Sequence, residues 1–273
     1  WGIRPSRWSE KEKELNGKGD LRMKRQTKKA AAKAREFARY LDSTCLKPTA
    51  TEAEIDALCQ AARRYSFATV CVHPSEVARC AENLRGSDVK VCTVVGFPLG
   101  KNDPYIKGEE ALRALEDGAD ELDVVLNVSL LKAACATAAF DAAAYGKVLF
   151  DLTPFHDRVA EERARTGREI ATKLIIECCN LTDLEKRIAC HLAKELGFDF
   201  VKTSTGFGSG GATVDDVRLM RETVGPEMGV KAAGGIRGYE EACRMIAAGA
   251  TRIGTSSAEK IMEEGARDGY ASV

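Results

Sequence analysis

From residue 37 onward the chain alternates short apolar runs, most of them rich in β-branched residues, with amphipathic stretches of helical length. The runs are FARYLD (37–42), ATVCV (68–72), VKVCTVV (89–95), DELDVVLNV (120–128), ATKLIIE (171–177), FDFVKTS (198–204), VKAA (230–233) and TRIGTS (251–256). Helical stretches lie between them at 51–66, 74–85, 105–118, 181–197, 214–224 and 239–249. Several open on a capping pair, Thr51 with Glu54 and Thr182 with Glu185, and several close on glycine, at Gly118, Gly197 and Gly249. Eight strands, each followed by a helix, predict an α/β chain folded as a single (β/α)8 TIM barrel over residues 37–273. Strands that are apolar along their length suit a parallel sheet buried on both faces. A doubly wound open sheet is the alternative, but no G-x-G-x-x-G follows the first strand.

Two segments stand outside this rhythm. Residues 1–36 carry 12 Lys or Arg against five acids, a charge of +7; the whole chain balances 41 basic with 41 acidic residues, so the remainder is −7. This basic extension is expected to be a solvated arm, flexible or helical, with an acidic partner or nucleic acid as the lesser reading. Residues 132–170 exceed what one helix and a loop require, and Pro154 and Gly167 interrupt them. An Ala-rich helix, a break and a second, charged helix are expected there. No apolar run approaches the roughly 20 residues that span a bilayer. The ten cysteines show no C-x-x-C spacing and several sit inside apolar runs, which points to reduced, mostly structural thiols in a cytoplasmic protein.

Barrel chemistry sits at the C-terminal ends of the strands and in the loops just after them. Lys202, in FDFVK, and Lys231, in VKAA, are charges inside apolar strands, and small residues and glycine follow each. Adjacent strands would hold the two close. Burial and mutual repulsion are then expected to lower their pKa toward a neutral amine that attacks carbonyls. The bland alternative is two lysines snorkelling to solvent. Asp123 breaks strand four at an inward position and is the candidate general acid/base, whereas Asp120 and Glu121 are expected to be solvated. Asp42 and Thr44, in LDSTCLKP, either bond a substrate hydroxyl or cap the next segment, and Lys173 is a third strand lysine for a polar interior. Glycine-rich STGFGSGGAT (204–213), AAGGIRG (232–238) and IGTSS (253–257) follow strands six to eight. Loops after strands seven and eight commonly bind phosphate through backbone N–H groups, and Gly234, Gly235, Ser256 and Ser257 fit that use. A P-loop is excluded, since no G-K-[ST] follows the glycines. Three histidines (His73, His156, His191) leave a histidine-rich metal site little to build from.

In order along the chain, LDSTCLKP (41–48), ATVCVHP (68–74), VVGFPLG (94–100), GADELDVVLN (118–127), KLIIE (173–177), FVKTSTGFGSGGAT (200–213), VKAAGGIR (230–237) and TRIGTSS (251–257) resemble successive blocks of the deoxyribose-phosphate aldolases. The resemblance implies a class I aldolase on a TIM barrel, needing neither metal nor cofactor. Such an enzyme cleaves 2-deoxy-D-ribose 5-phosphate to D-glyceraldehyde 3-phosphate and acetaldehyde, in deoxyribonucleotide catabolism. It further implies that Lys202 forms the Schiff base, that Lys231 perturbs its pKa and that Asp123 shuttles protons through a water. Thr205, Gly206, Gly234, Gly235, Ser256 and Ser257 would hold the phosphate, while Asp42, Thr44 and Lys173 would line the pocket. Tyr270 would reach the phosphate only if the tail folded over the barrel mouth. A homo-oligomer, dimer or tetramer, is expected. The rival readings are another phosphosugar Schiff-base aldolase or transaldolase, and a non-catalytic barrel whose basic arm is its contact.

Overall fold

A computed structural model describes residues 30–136 and 141–270. Helix α1 (residues 30–38) precedes β1 (Leu41–Cys45), α2 (Glu52–Tyr65), β2 (Thr69–Val72), α3 (Val77–Asn83), β3 (Lys90–Val95), α4 (Pro104–Glu116) and β4 (Glu121–Val125). Then come α5 (Val128–Ala134), α6 (Ala142–Thr166), β5 (Ala171–Ile175), α7 (Asp183–Glu195), β6 (Phe200–Lys202), α8 (Val214–Val224), β7 (Gly229–Ala233), α9 (Tyr239–Ala247), β8 (Arg252–Thr255) and α10 (Ala258–Asp268). The strands run parallel and close in chain order, with β1 pairing both β2 and β8. The predicted (β/α)8 barrel is what forms. No helix among the described residues is long and apolar enough to cross a membrane.

Strand alternation divides the side chains between two environments. Outward positions such as Leu41, Val70, Leu122, Leu174, Val201, Val230 and Ile253 join the helices in the main apolar core. Inward positions carry a small apolar cluster, Cys71, Cys92 and Val94 capped by Leu46, beside the charged residues described below. Local signals agree with this packing. Thr51–Glu54 and Thr182–Glu185 form reciprocal capping boxes at α2 and α7, and Gly118, Gly197 and Gly249 take the positive φ that follows a helix.

Two expected elements are corrected. FARYLD is not a strand throughout: helix α1 runs through residue 38 and β1 begins at Leu41. The segment FARY holds no β-branched residue, and Phe37, Ala38 and Leu41, all fully buried, have helical spacing. The break expected near Pro154 is also absent, because α6 continues through the proline to Gly167, its left-handed C-cap. Val148, Leu152, Phe155, Val159 and Glu162 keep one buried face across it. Pro154 has no N–H to offer the carbonyl four residues back, and that residue, Phe150, is half exposed, within reach of water. Gly108 of α4 lets the helices approach there; a Cβ on it would stand 2.9 Å from the Pro154 carbonyl oxygen. The basic extension lies outside the described residues up to position 29, and its end belongs to α1.

Candidate active site

Seven ionisable side chains converge inside the barrel. Asp123 (β4) is fully buried and receives three ammonium groups: Lys173 Nζ at 2.8 Å on Oδ1, with Lys202 Nζ at 2.9 Å and Lys231 Nζ at 2.7 Å on Oδ2. Lys231 also meets Asp42 Oδ2 at 2.6 Å, and Lys173 meets Glu121 Oε2 at 2.5 Å. Arg252 closes the ring, 2.7 Å from Asp42 Oδ1 and 3.1 Å from Glu121 Oε2. Strand register produces this convergence: Asp123 stands beside Lys173, Lys202 beside Lys231, and Lys231 beside Arg252 on neighbouring strands. Two glycines make room. A Cβ on Gly254 would stand 3.2 Å from Lys231 Cε, and one on Gly229 would collide with the Phe200 ring, which lies under Arg252 and Lys173.

Burial by itself would push Asp123 up, but Lys173, Lys202 and Lys231 together hold it well below the ordinary carboxylate value. Asp42 behaves likewise: burial raises it, and Arg252 and Lys231 more than reverse the effect. The expectation that burial and repulsion would lower Lys231 is overturned. Desolvation does oppose its charge, yet Asp123 and Asp42 outweigh it and hold Lys231 well above the ordinary lysine value. Lys173 is raised for the same reason, against burial, by Asp123, Cys92 and Glu121. Counting charges, four cations (Lys173, Lys202, Lys231, Arg252) face three carboxylates (Asp42, Glu121, Asp123), a surplus of one.

Above the cluster the strand ends open into a cleft of about 330 Å³. Thr44, Lys202, Thr205, Gly206, Gly234, Gly235 and Ser256 border it, as do Lys47 and Arg237. Gly206, Gly234 and Gly235 all have positive φ (87°, 90° and 82°), a conformation that turns backbone N–H groups along the loop. The loops after β6 and β7 touch: Ala212 N–H donates to the Gly234 carbonyl at 3.0 Å, and a Cβ on Gly211 would come within 2.3 Å of that oxygen.

The structure thus brings Thr44, Lys202, Thr205, Gly206, Gly234, Gly235 and Ser256 to one cleft and places Lys231, Asp123, Asp42 and Lys173 in the cluster below it. Asp42 and Lys173 are fully buried in ion pairs and do not reach the cleft wall. Ser257 is just outside it, at the N-cap of α10, its N–H donating to Thr255 Oγ1 at 2.9 Å. Tyr270 packs against Phe37, Tyr239 and Gly265, with its hydroxyl on the Met262 carbonyl, so it belongs to the end of α10 rather than the mouth. Glu121, expected in solvent, is buried between Lys173 and Arg252. Sequence reasoning gave no role to Arg252 or to Glu177. The latter sits in left-handed backbone (φ 54°) at the end of β5, and its carboxylate accepts the N–H and O–H of Thr205. A charge ending the apolar KLIIE run was the available signal. Among the described residues, Cys71–Cys92–Asp123 and Asp42–Cys92–Glu121 are spaced closely enough to ligate a metal. The carboxylates of both sets are already neutralised by lysine or arginine.

A buried lysine–carboxylate cluster beneath a cleft walled by glycine loops stands at the C-terminal strand ends of this (β/α)8 barrel, where enzymes of this fold carry their active sites. The comparisons make it particular. The chain is 56% identical over 231 residues to the deoxyribose-phosphate aldolase of Thermococcus kodakarensis, covering 84% of this chain and 96% of that one. It is 50% identical over 225 residues to that of Streptococcus gordonii, covering 82% and 94%. A solved deoxyribose phosphate aldolase from Aeropyrum pernix, described as a tetramer, superposes with a TM-score of 0.72 at 32% identity, covering 84% and 91%. No family model matches the chain. The chain belongs to the deoxyribose-phosphate aldolase family.

Proposed function

We propose that Lys202 performs Schiff-base chemistry on 2-deoxy-D-ribose 5-phosphate, cleaving it to D-glyceraldehyde 3-phosphate and acetaldehyde. The observation that carries this reading is that Lys202, alone among the cluster's four cations, both borders the cleft and has a single carboxylate partner. The neutral form of this amine adds to the C1 aldehyde of the open-chain sugar. Loss of water gives an iminium. A base takes the C3 hydroxyl proton, the C2–C3 bond breaks, and its electron pair passes to the iminium nitrogen to form an enamine. Glyceraldehyde 3-phosphate leaves; protonation at C2 and hydrolysis free acetaldehyde and the lysine. Asp123, 2.9 Å from the Lys202 nitrogen, passes protons through a water, while Lys231 keeps its charge and holds Asp123 and Asp42 ionised. Phosphate is held by the N–H groups around Gly206, Gly234 and Gly235 with Thr205 and Ser256, and Ser257 lies at the following helix N-terminus. Lys47 and Arg237 add positive charge at the rim.

Relatives named for deoxyribose phosphate support the substrate, and the tetrameric relative supports reading this chain as a homo-oligomer. Ten free thiols fit a reducing cytoplasmic setting, for one barrel domain preceded by a basic arm. The test is borohydride reduction in the presence of deoxyribose 5-phosphate, followed by peptide mass spectrometry of the native chain and of Lys202→Ala. An adduct on Lys202, absent from the variant, is expected. No adduct from folded protein overturns the mechanism and leaves the non-catalytic barrel.

A further inference from the structure

We infer that Glu177 is a positioning residue that holds the glycine loop after β6 in shape for the substrate phosphate, acting through Thr205. This rests on the reading that the loop helps to hold the phosphate. Glu177 is buried and does not border the cleft that contains Lys202. It lines a neighbouring cavity of about 540 Å³, and Thr205 and Phe207 stand in the wall between the two spaces. From behind that wall its carboxylate accepts both hydrogens that Thr205 can donate, the N–H at 3.2 Å on Oε1 and the hydroxyl on Oε2. With its own hydrogen committed in this way, Thr205 Oγ1 accepts the Phe207 N–H at 3.0 Å. A single carboxylate thereby fixes both the backbone and the side chain at the entry to the loop.

The loop needs such an anchor. Four of the six residues from 206 to 211 are glycine, and glycine loses the most conformational freedom on being ordered. Among the described residues, the Phe207 bond to Thr205 is the only hydrogen bond that these six make. The exit is tied by the Ala212 N–H on the Gly234 carbonyl, and the entry, at Thr205, by Glu177. The backbone of Glu177 points the same way. Ser66 and Tyr270, the other non-glycine residues at positive φ, stand at helix ends, whereas Glu177 (φ 54°, ψ 67°) follows β5 and makes no side-chain cap to the short turn after it. A glycine would take that conformation without strain, so what glutamate adds there is its carboxylate. Gly208 leaves space for it, since a Cβ on that residue would stand 3.2 Å from Glu177 Cδ.

The experiment is steady-state kinetics on deoxyribose 5-phosphate and on unphosphorylated deoxyribose, with inorganic phosphate as the competing ligand. Glu177→Ala should raise the KM for the phosphorylated sugar and the Ki of phosphate together, by about tenfold or more, because hydrogen bonds to a charged group are among the stronger ones. Its kcat should stay within about threefold, and kcat/KM for unphosphorylated deoxyribose within about twofold. Glu177→Gln keeps one acceptor oxygen and should recover part of the loss. In a Thr205→Val background, which lacks the hydroxyl, Glu177→Ala should cost less than it does in the native chain, since the two residues act as a unit. Damage to the barrel would lower the rates on both sugars alike, and that result, or full additivity with Thr205→Val, overturns the assignment. Borohydride trapping on Lys202 with saturating deoxyribose 5-phosphate should succeed in Glu177→Ala as in the native chain. A KM and Ki unmoved by Glu177→Ala, with phosphate competing normally, sink the role of Glu177 alone. Failure of phosphate to compete in the native chain sinks the phosphate reading and this one with it. Should Glu177→Ala fail to fold, Glu177→Gln and Thr205→Val carry the same comparison.

Discussion

Replacing Asp123 by Asn keeps the shape of the side chain and removes the charge that three ammonium groups share at 2.7–2.9 Å. Four cations would then face two carboxylates in a site with no solvent exposure at Asp123. Removing one partner of a buried ion pair costs about 3–5 kcal/mol. For a chain of this size, at about 2–4 °C per kcal/mol, the melting temperature should fall by about 6–20 °C. The sign of the pH dependence should also reverse. In the native protein Lys173 and Lys231 are held above the ordinary lysine value, so their contribution is complete below about pH 10.4 and is lost only as pH rises through the folded values. In the variant, burial and repulsion prevail and the folded values drop below about 10.4, so stability should climb between about pH 8 and about pH 10. Urea denaturation followed by circular dichroism, repeated across that range, measures both quantities. A deficit below about 1 kcal/mol at neutral pH, or one that does not shrink as pH rises, would refute the view that Asp123 is the common counter-ion.

Other outcomes are as definite. Gly211→Ala puts a Cβ 2.3 Å from the Gly234 carbonyl oxygen and must part the loops after β6 and β7. The KM for deoxyribose 5-phosphate should rise by about tenfold or more while turnover of unphosphorylated deoxyribose changes little, and an equal effect on both sugars would contradict a phosphate role for that loop. Asp42 and Asp123 are depressed in the fold, so their stabilisation is present above about pH 3.9 and lost as pH falls further. An acid titration by circular dichroism should therefore show a cooperative loss of structure below about pH 4, and unfolding complete by about pH 5 would argue against paired carboxylates. Thr182→Ala removes the side-chain half of the α7 capping box, leaving Glu185 to accept from the backbone N–H at 182, and should cost about 1 kcal/mol, seen as a melting shift of about 2–4 °C with unchanged kcat.

The barrel was legible because each level of the sequence points the same way: continuous apolar strands, capped helices, and glycine just past the helix ends. The site was legible where a charge interrupts an apolar run, as Lys202, Lys231, Lys173 and Asp123 do. Glu121 was not, because beside Asp120 and just after a turn it reads as solvated. Strand parity was the unused signal: residues 121 and 123 share a face, so an inward Asp123 commits Glu121 to the interior. Arg252 escaped notice for a related reason, since at the very start of β8 nothing in TRIGTS separates an inward arginine from one at the rim. The electrostatics were less legible still. Two lysines on adjacent strands suggest mutual repulsion, and only the coordinates reveal that Asp42 and Asp123 outweigh it at Lys231. Pro154 misled for a packing reason, because an apolar face that continues on both sides of a proline outweighs one lost hydrogen bond.

This division of faces explains how a protein interior tolerates so much charge. The outward strand positions and the helices supply the apolar core, so the fold does not depend on hydrophobic burial at the inward positions. Those positions are left for groups whose cost of desolvation is met by one another, and most are met twice: Asp42 by Lys231 and Arg252, Glu121 by Lys173 and Arg252, Lys231 by Asp42 and Asp123. Lys202 is the exception, with one shared partner and an edge on the cleft. Stability is therefore concentrated where compensation is complete and reactivity where it is least. It follows that removing the Lys202 amine should disturb the fold less than removing any of its doubly paired neighbours, though it is the change that ends Schiff-base chemistry.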